Sequence, residues 1–300
     1  MTSSGIALQL NHPNQAHEAE SAPSNMQHQA LSKLAKISLK GIPMCAATSD
    51  ESTPAEQFSQ LADLYEDMFE WEFRKFFEVP TVFNVIGKPT EKSFIDFGCG
   101  GGGYTRLLKK HGAAYITGYE PTAGMRDYAR TQASQENLDI NYISSIREHT
   151  KIKYDTLLSI YVLPYASTVA LLDAMCGEMA SLIRPGGRIV AVTINPDINR
   201  NPEYYVPYGL KFTPDDASKS DYEDCSRLRL DLNHRGYTGS VHAWYWKRSS
   251  IEQSLKRAGI HSINWHHLRA TAFNASTPMP EALIAYSDHP HAIVIEGIAK

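Results

Sequence analysis

Long apolar runs are missing: no stretch of this 300-residue chain approaches the ~20 consecutive apolar residues that cross a bilayer. The N-terminus also lacks the charged and then apolar pattern of a secretory signal. These absences predict a soluble, cytoplasmic protein with no membrane partner. Long basic runs are absent too, and the net charge is −4, which argues against nucleic acid as a partner. Cysteine is scarce: Cys45, Cys99, Cys176 and Cys225 are scattered without C-x-x-C spacing, suggesting neither a zinc site nor a disulfide framework. The twelve histidines are dispersed, and His266-His267 are adjacent rather than four apart, which is poor metal geometry, so no metal is expected.

What is present is apolar content of 42%, enough for one large domain with additions. Residues 1–52 divide into a polar start, expected to be flexible, and a stretch at about 25–40 where Leu31, Leu34, Ala35, Ile37 and Leu39 alternate with lysines. That pattern predicts an amphipathic helix, packed either on its own domain or on a second subunit in a homo-oligomer. Thr53-Pro54-Ala55-Glu56 then marks the start of a helix rich in aromatic residues through Phe77 and of the main domain, 53–300.

From residue 94 onward, strand and helix patterns alternate: strands at 94–97, 115–119, 140–143, 155–160 and 187–194, with helices at 103–111, 123–134 and 167–183. Such alternation implies an α/β fold with a parallel sheet covered on both faces, and ligands at the carboxyl ends of its strands. After Asn195 the pattern changes to an aromatic, proline-broken segment, strands at 225–232 and 237–246, a helix ending at Gly259, and strands at 261–268 and 291–298. Residues 196–246 are the expected cover insertion.

The most informative stretch is Asp96-Phe97-Gly98-Cys99-Gly100-Gly101-Gly102-Gly103, where an apolar strand runs into a glycine cluster that opens a helix. Gly98, Gly100 and Gly103 fit G-x-G-x-x-G, and Glu120 stands about twenty residues on, where a ribose-binding carboxylate is expected. Cys99 is read as a small residue under the ligand rather than a reactive thiol.

Asp96 to Gly100 resembles the first motif of class I S-adenosylmethionine-dependent methyltransferases. Gly118-Tyr119-Glu120-Pro121-Thr122 is similar to the second, and Leu182-Ile183-Arg184-Pro185-Gly186-Gly187-Arg188-Ile189-Val190 to the turn and strand five. The resemblance covers about residues 55–195. The order of segments beyond it, with Ile160 to Ala166 and His242 to Arg248, is similar to small-molecule methyltransferases of the toxoflavin-biosynthesis type.

That resemblance implies a Rossmann-like, doubly wound, mostly parallel seven-stranded sheet with an antiparallel last strand and a small antiparallel β cover after strand five. It implies S-adenosyl-L-methionine as cofactor, held by Asp96, Gly98, Gly100, Glu120, Thr122 and Met125, with Tyr65 closing over the methionine end. Ser145 and Ile146 stand where many members carry an adenine-binding Asp. Ser159, Tyr161 and Leu163 alternate after strand four, so one face lines the methyl end. Tyr205, Tyr208 and Trp244, with Tyr65 and Leu163, are the expected substrate residues, while His242 is the expected base or orienter and Tyr161 a second catalytic candidate.

Methyl transfer from a sulfonium needs positioning, exclusion of water, and a base only where the acceptor carries a proton. The expected function is methylation of a small aromatic or heterocyclic metabolite, in specialised metabolism. Two readings compete with it. A nicotinamide-dependent oxidoreductase would use the same glycine loop, although no Tyr-x-x-x-Lys pair follows strand four. A non-catalytic binding protein would have kept only the fold. Leu163-Pro164-Tyr165 is taken as a chance echo of the Asn-Pro-Pro-Tyr segment of nucleic-acid methylation.

Overall fold

A computed structural model describes residues 62–147, 151–216, 222–273 and 276–300. The amphipathic helix at about 25–40 and the helix start at Thr53 lie outside the described residues. The central strands of the main sheet alternate their side chains between two apolar layers, as a sheet buried on both faces requires. In β1 (Ser93–Phe97), Phe94 joins one buried cluster and Ile95 the other. Val190 and Ile189 divide in the same way in β5 (Ile183–Ile194), as do Val294 and Ile295 in β10 (Ala292–Ala299).

The remaining strands of this sheet are β2 (Tyr115–Tyr119), β3 (Asn141–Ile143), β4 (Tyr154–Ile160) and β9 (Ile260–His267). The seven run in the order β3-β2-β1-β4-β5-β10-β9; β1 to β5 pair in parallel and β10 is antiparallel to both its neighbours. The expected seven-stranded, doubly wound sheet is therefore present. Chain order reverses between β1 and β4, which opens a crevice at their carboxyl ends. A separate antiparallel sheet of β6 (Leu210–Pro214), β7 (Ser226–His234) and β8 (Tyr237–Tyr245) fills the expected insertion.

The aromatic-rich segment before β1 is not one helix. Helix α1 (Ala62–Asp67) tightens to a 3₁₀ turn at Met68–Glu70, and Trp71 is extended, with ψ 138°. Trp71 is fully buried and its indole N–H donates to Asp67 Oδ2 at 2.8 Å, so the break is held by the side chain that causes it to turn inward. The chain then winds through a π turn, Arg74–Glu78, into α2 (Val79–Ile86). Pro80 has no N–H to give to the Phe76 carbonyl, and the backbone widens just ahead of it, with the Val79 N–H reaching Arg74 O.

Helices α3 (Gly103–Lys110), α4 (Ala123–Gln135), α5 (Val169–Ser181) and α6 (Arg248–Arg257) match the expected segments. Two elements were not anticipated: β6, an edge strand that ends at Pro214, and α7 (Glu281–Asp288), whose Leu283 and Tyr286 are buried. Cys225 is disulfide-bonded, which its isolated place in the sequence does not announce. Among the described residues no helix is long and apolar enough to cross a membrane.

The β6-β7-β8 sheet backs the segment that forms the crevice rim. Trp71 stacks edge-on against His234 at 5.0 Å, Arg235 pairs with Asp67 at 3.1 Å, and Trp246 donates to the Ala166 carbonyl at 3.0 Å. Trp71→Ala is expected to lower stability by about 3–5 kcal/mol, the range for deleting a large buried aromatic. Urea denaturation followed by tryptophan-independent circular dichroism measures this; a loss below about 1 kcal/mol would contradict the role assigned to Trp71.

Candidate active site

The turn after β1 is laced to the end of β2. The Gly98 and Cys99 amides both donate to the Tyr119 carbonyl at 2.9 Å, and the Gly100 amide donates to Glu120 Oε2 at 3.0 Å. Glu120 Oε1 accepts from the Thr122 amide at 2.8 Å. The turn needs left-handed backbone, φ +75° at Gly98 and +54° at Gly100, which only glycine adopts without strain. At Gly98 a side chain would also strike Val162, whereas above Gly100 there is open space, so the backbone itself is the floor of a cleft.

That cleft is a cavity of about 290 Å³ at the carboxyl ends of β1 and β4. Of the residues predicted from sequence, Tyr65, Asp96, Gly98, Gly100, Glu120, Thr122, Met125 and Tyr161 line it together. At one end Glu120, Thr122 and the buried Met125 surround the loop. Tyr65, Phe69, Tyr161 and Tyr165 contribute an aromatic lining, with Arg74 among them.

Two buried carboxylates face the glycine loop from below. Asp96 Oδ2 accepts from Thr105 Oγ1 at 2.7 Å, but Oδ1 is buried with no hydrogen-bond partner. Burial, and secondarily the charge of Glu120, push the Asp96 carboxyl up to about 7. Burial also raises Glu120, against the pull of the Thr122 and Gly100 bonds. The Cys99 thiol is pushed well above its ordinary value, first by burial and then by these two carboxylates, so it stays a neutral thiol rather than a nucleophile.

Several predicted residues lie elsewhere, each for a visible reason. Ile146 and Leu163 are core residues in the cluster with Ile95 and Leu157. Ser145 takes the Arg147 amide at 3.3 Å, and Ser159 is fully buried within β4; neither lines the cavity. Tyr205 and Tyr208 point their hydroxyls into backbone, donating to the carbonyls of His289 at 2.8 Å and Ala282 at 2.7 Å; they pin the segment around α7 and do not line the cavity. Trp244 is buried near the Arg227 guanidinium, and His242 sits opposite Arg229 on β8; both are parts of the small sheet, not of the cleft.

The structure adds residues that periodicity did not mark. Tyr165, set aside as a chance echo, lines the cleft beside Tyr65, and Phe69, Arg74 and Tyr104 join it. Behind Arg74 lies a buried polar group. Arg74 Nε is 3.0 Å from Glu78 Oε1, a charge contact rather than an aligned hydrogen bond, since that Nε has no hydrogen-bond partner. Glu78 also accepts from Tyr104 at 2.9 Å and Tyr161 at 2.5 Å. No local spacing links residues 78, 104 and 161; only the fold does.

The residues present fit an adenosyl sulfonium. A carboxylate with spare lone pairs stands at a strand end, an unpartnered buried carboxylate oxygen lies by the loop, and an apolar Met and aromatic walls complete the lining.

Comparison with known proteins agrees. Residues 94–187 match the model of a methyltransferase domain. A ubiquinone biosynthesis O-methyltransferase of Coxiella burnetii is 35% identical over 107 residues, covering 35% of this chain and 44% of that protein, so the chain spans less than half of that relative's length. The enzyme of the same name from Saccharophagus degradans is 29% identical over 178 residues, 55% of this chain and 72% of its own. The crystal structure of a putative S-adenosylmethionine-dependent methyltransferase from Listeria monocytogenes covers 74% of this chain and 96% of its own, with a TM-score of 0.50 and 16% identity, a likeness of fold. The chain thus carries a methyltransferase domain at residues 94–187, in a fold shared with solved S-adenosylmethionine-dependent methyltransferases.

Proposed function

We propose that the chain transfers a methyl group to a small aromatic or heterocyclic metabolite by direct in-line displacement. The observation that carries this reading is the cleft itself, with a ribose-type carboxylate, Glu120, and an aromatic lining of Tyr65, Phe69, Tyr161 and Tyr165. When bound, the cofactor supplies an electrophilic methyl on a cationic sulfur. The chain's part is to hold, orient and shield. Glu120 receives the ribose hydroxyls on lone pairs not used by Gly100 and Thr122, Met125 meets the adenine, and Asp96 faces the amino group. Aromatic walls bury a flat acceptor and favour a cationic centre beside their faces. The names of the relatives, as O-methyltransferases of ubiquinone biosynthesis, support a small acceptor.

One feature weighs against a dinucleotide. In nicotinamide enzymes the pyrophosphate lies on the N-terminus of the helix after the loop. Here the Phe69 ring covers that point, 2.1 Å from where a Gly103 side chain would begin, and Glu66 stands over Gly101 paired to Arg106. An aromatic ring and a carboxylate at that point disfavour a diphosphate.

Calorimetry with S-adenosylhomocysteine tests the clamp. Glu120→Ala is expected to weaken binding about 10- to 100-fold, the value of hydrogen bonds to a charged group. Unchanged affinity, or no binding by the wild type, would refute the assignment. A screen of candidate metabolites with labelled cofactor and product mass tests the acceptor class; turnover confined to non-aromatic acceptors would overturn it.

Asp96 adds a pH dependence. Its carboxyl is raised from 3.8 to about 7, so its contribution to unliganded stability is full below about pH 4 and is lost as pH rises through about 7. A cationic amino group favours the ionised form, so S-adenosylhomocysteine affinity should increase as pH rises towards 7 and then level off. Asp96→Asn should flatten that profile; an identical profile in the variant would contradict it.

A further inference from the structure

The proposed reaction leaves one requirement open, because an acceptor bearing O–H or N–H must lose a proton and His242 lies outside the cleft. We propose that Tyr161 is the group that takes this proton, passing its own to Glu78 in the same step, with His291 holding the tyrosine for the task. The inference rests on the methyltransferase reading above and names a catalytic residue within it.

Hydrogen counting fixes the direction of the network. A carboxylate only accepts, so the Tyr161 hydroxyl must donate its one hydrogen to Glu78 Oε2. The Tyr161 oxygen also lies 3.0 Å from His291 Nε2, which must then be the donor. His291 Nδ1 is left as the acceptor, and Tyr286 OH stands 2.9 Å from it. Burial, and secondarily the charge of Arg74, push His291 down to about 3, so the ring is neutral with one donor and one acceptor, as this chain requires. The result is a one-way file of hydrogens from Tyr286 through His291 and Tyr161 to Glu78.

Tyr161 accepts one hydrogen from His291, which leaves one lone pair of its oxygen unengaged among the described residues, on a residue that lines the cleft. Its backbone is unusual for the role of mere packing: φ is +56° at the end of β4, held by its amide donating to the Val192 carbonyl at 2.8 Å. A bulky residue in left-handed backbone is costly and persists where the surroundings over-determine it. Burial and the nearby Glu78 charge push the phenol well above its ordinary value, so it rests protonated and acts by exchanging one proton for another.

The step balances. As the bond from acceptor to methyl forms and the sulfur–methyl bond breaks, the acceptor's proton moves to Tyr161 and the Tyr161 proton to Glu78. The sulfonium becomes a neutral thioether and the carboxylate a neutral acid, so two opposite charges vanish together in a buried site.

The probe is 4-nitrocatechol, whose visible absorption reports its ionisation, titrated into protein saturated with S-adenosylhomocysteine. Wild type is expected to raise the acid dissociation constant of the bound probe's hydroxyl at least tenfold, so that it ionises at lower pH, and both Tyr161→Phe and Glu78→Gln are expected to lose that shift. Nitrogen-15 NMR of the wild type should show His291 protonated on Nε2 alone. Equal ionisation in wild type and Tyr161→Phe, no bound ionised probe in wild type, or His291 protonated on Nδ1 would overturn the proposal. Failure of wild type to bind S-adenosylhomocysteine in calorimetry would instead overturn the underlying reading of the cleft, and the two failures are read separately.

Discussion

The bond between the Gly100 amide and the Glu120 carboxylate ties the turn after β1 to the end of β2, and the rest of the site is arranged around it. Parallel pairing sets Phe97 against Tyr119, so the two chain ends leave the sheet side by side. The Tyr119 carbonyl takes the next two amides of the turn, and Glu120 takes the one after. With strand order reversing beside β1, this tied turn overhangs the crevice instead of filling it. The same carboxylate is thereby oriented before any ligand arrives, which spares the cost of ordering it on binding.

Preorganisation has an electrostatic cost. Asp96 and Glu120 are both buried beneath one loop, and desolvation, with a lesser contribution from the Glu120 charge, raises the Asp96 carboxyl to about 7. A cationic ligand relieves that tension and a pyrophosphate would increase it. Close packing serves the same arrangement: at Gly118 a side chain would strike Tyr142 and Cys99, so the sheet beneath the loop has no spare room. The loop is thus constrained by buried charge as much as by shape.

Motifs with a local physical basis were legible in the sequence. Glycines that need positive φ, a carboxylate one strand on, and the period-two runs of β1 to β5 all express short-range constraints, and Asp96, Gly98, Gly100, Glu120, Thr122 and Met125 come together in one cleft. The residues expected to meet the acceptor were less legible. Tyr205, Tyr208 and Trp244 have the composition of a binding wall, yet their position after a chain reversal turns them into the support of α7 and the small sheet. The group Arg74, Glu78, Tyr161 and His291 is assembled from a π turn, a strand end and the approach to the last strand. No window of sequence contains it, and only tertiary structure brings it together. The break at Trp71 was hidden for a related reason, because a dense aromatic run has helical periodicity whether or not one buried ring interrupts it.

The most direct measurement is the electron density of a crystal grown with S-adenosylhomocysteine. The account predicts ribose hydroxyls on Glu120, adenine against Met125, the amino group facing Asp96, and the sulfur directed to the end lined by Tyr65, Phe69 and Tyr161. An empty cleft under saturating ligand, or a diphosphate seated over Gly103 in a crystal grown with a dinucleotide, would contradict it.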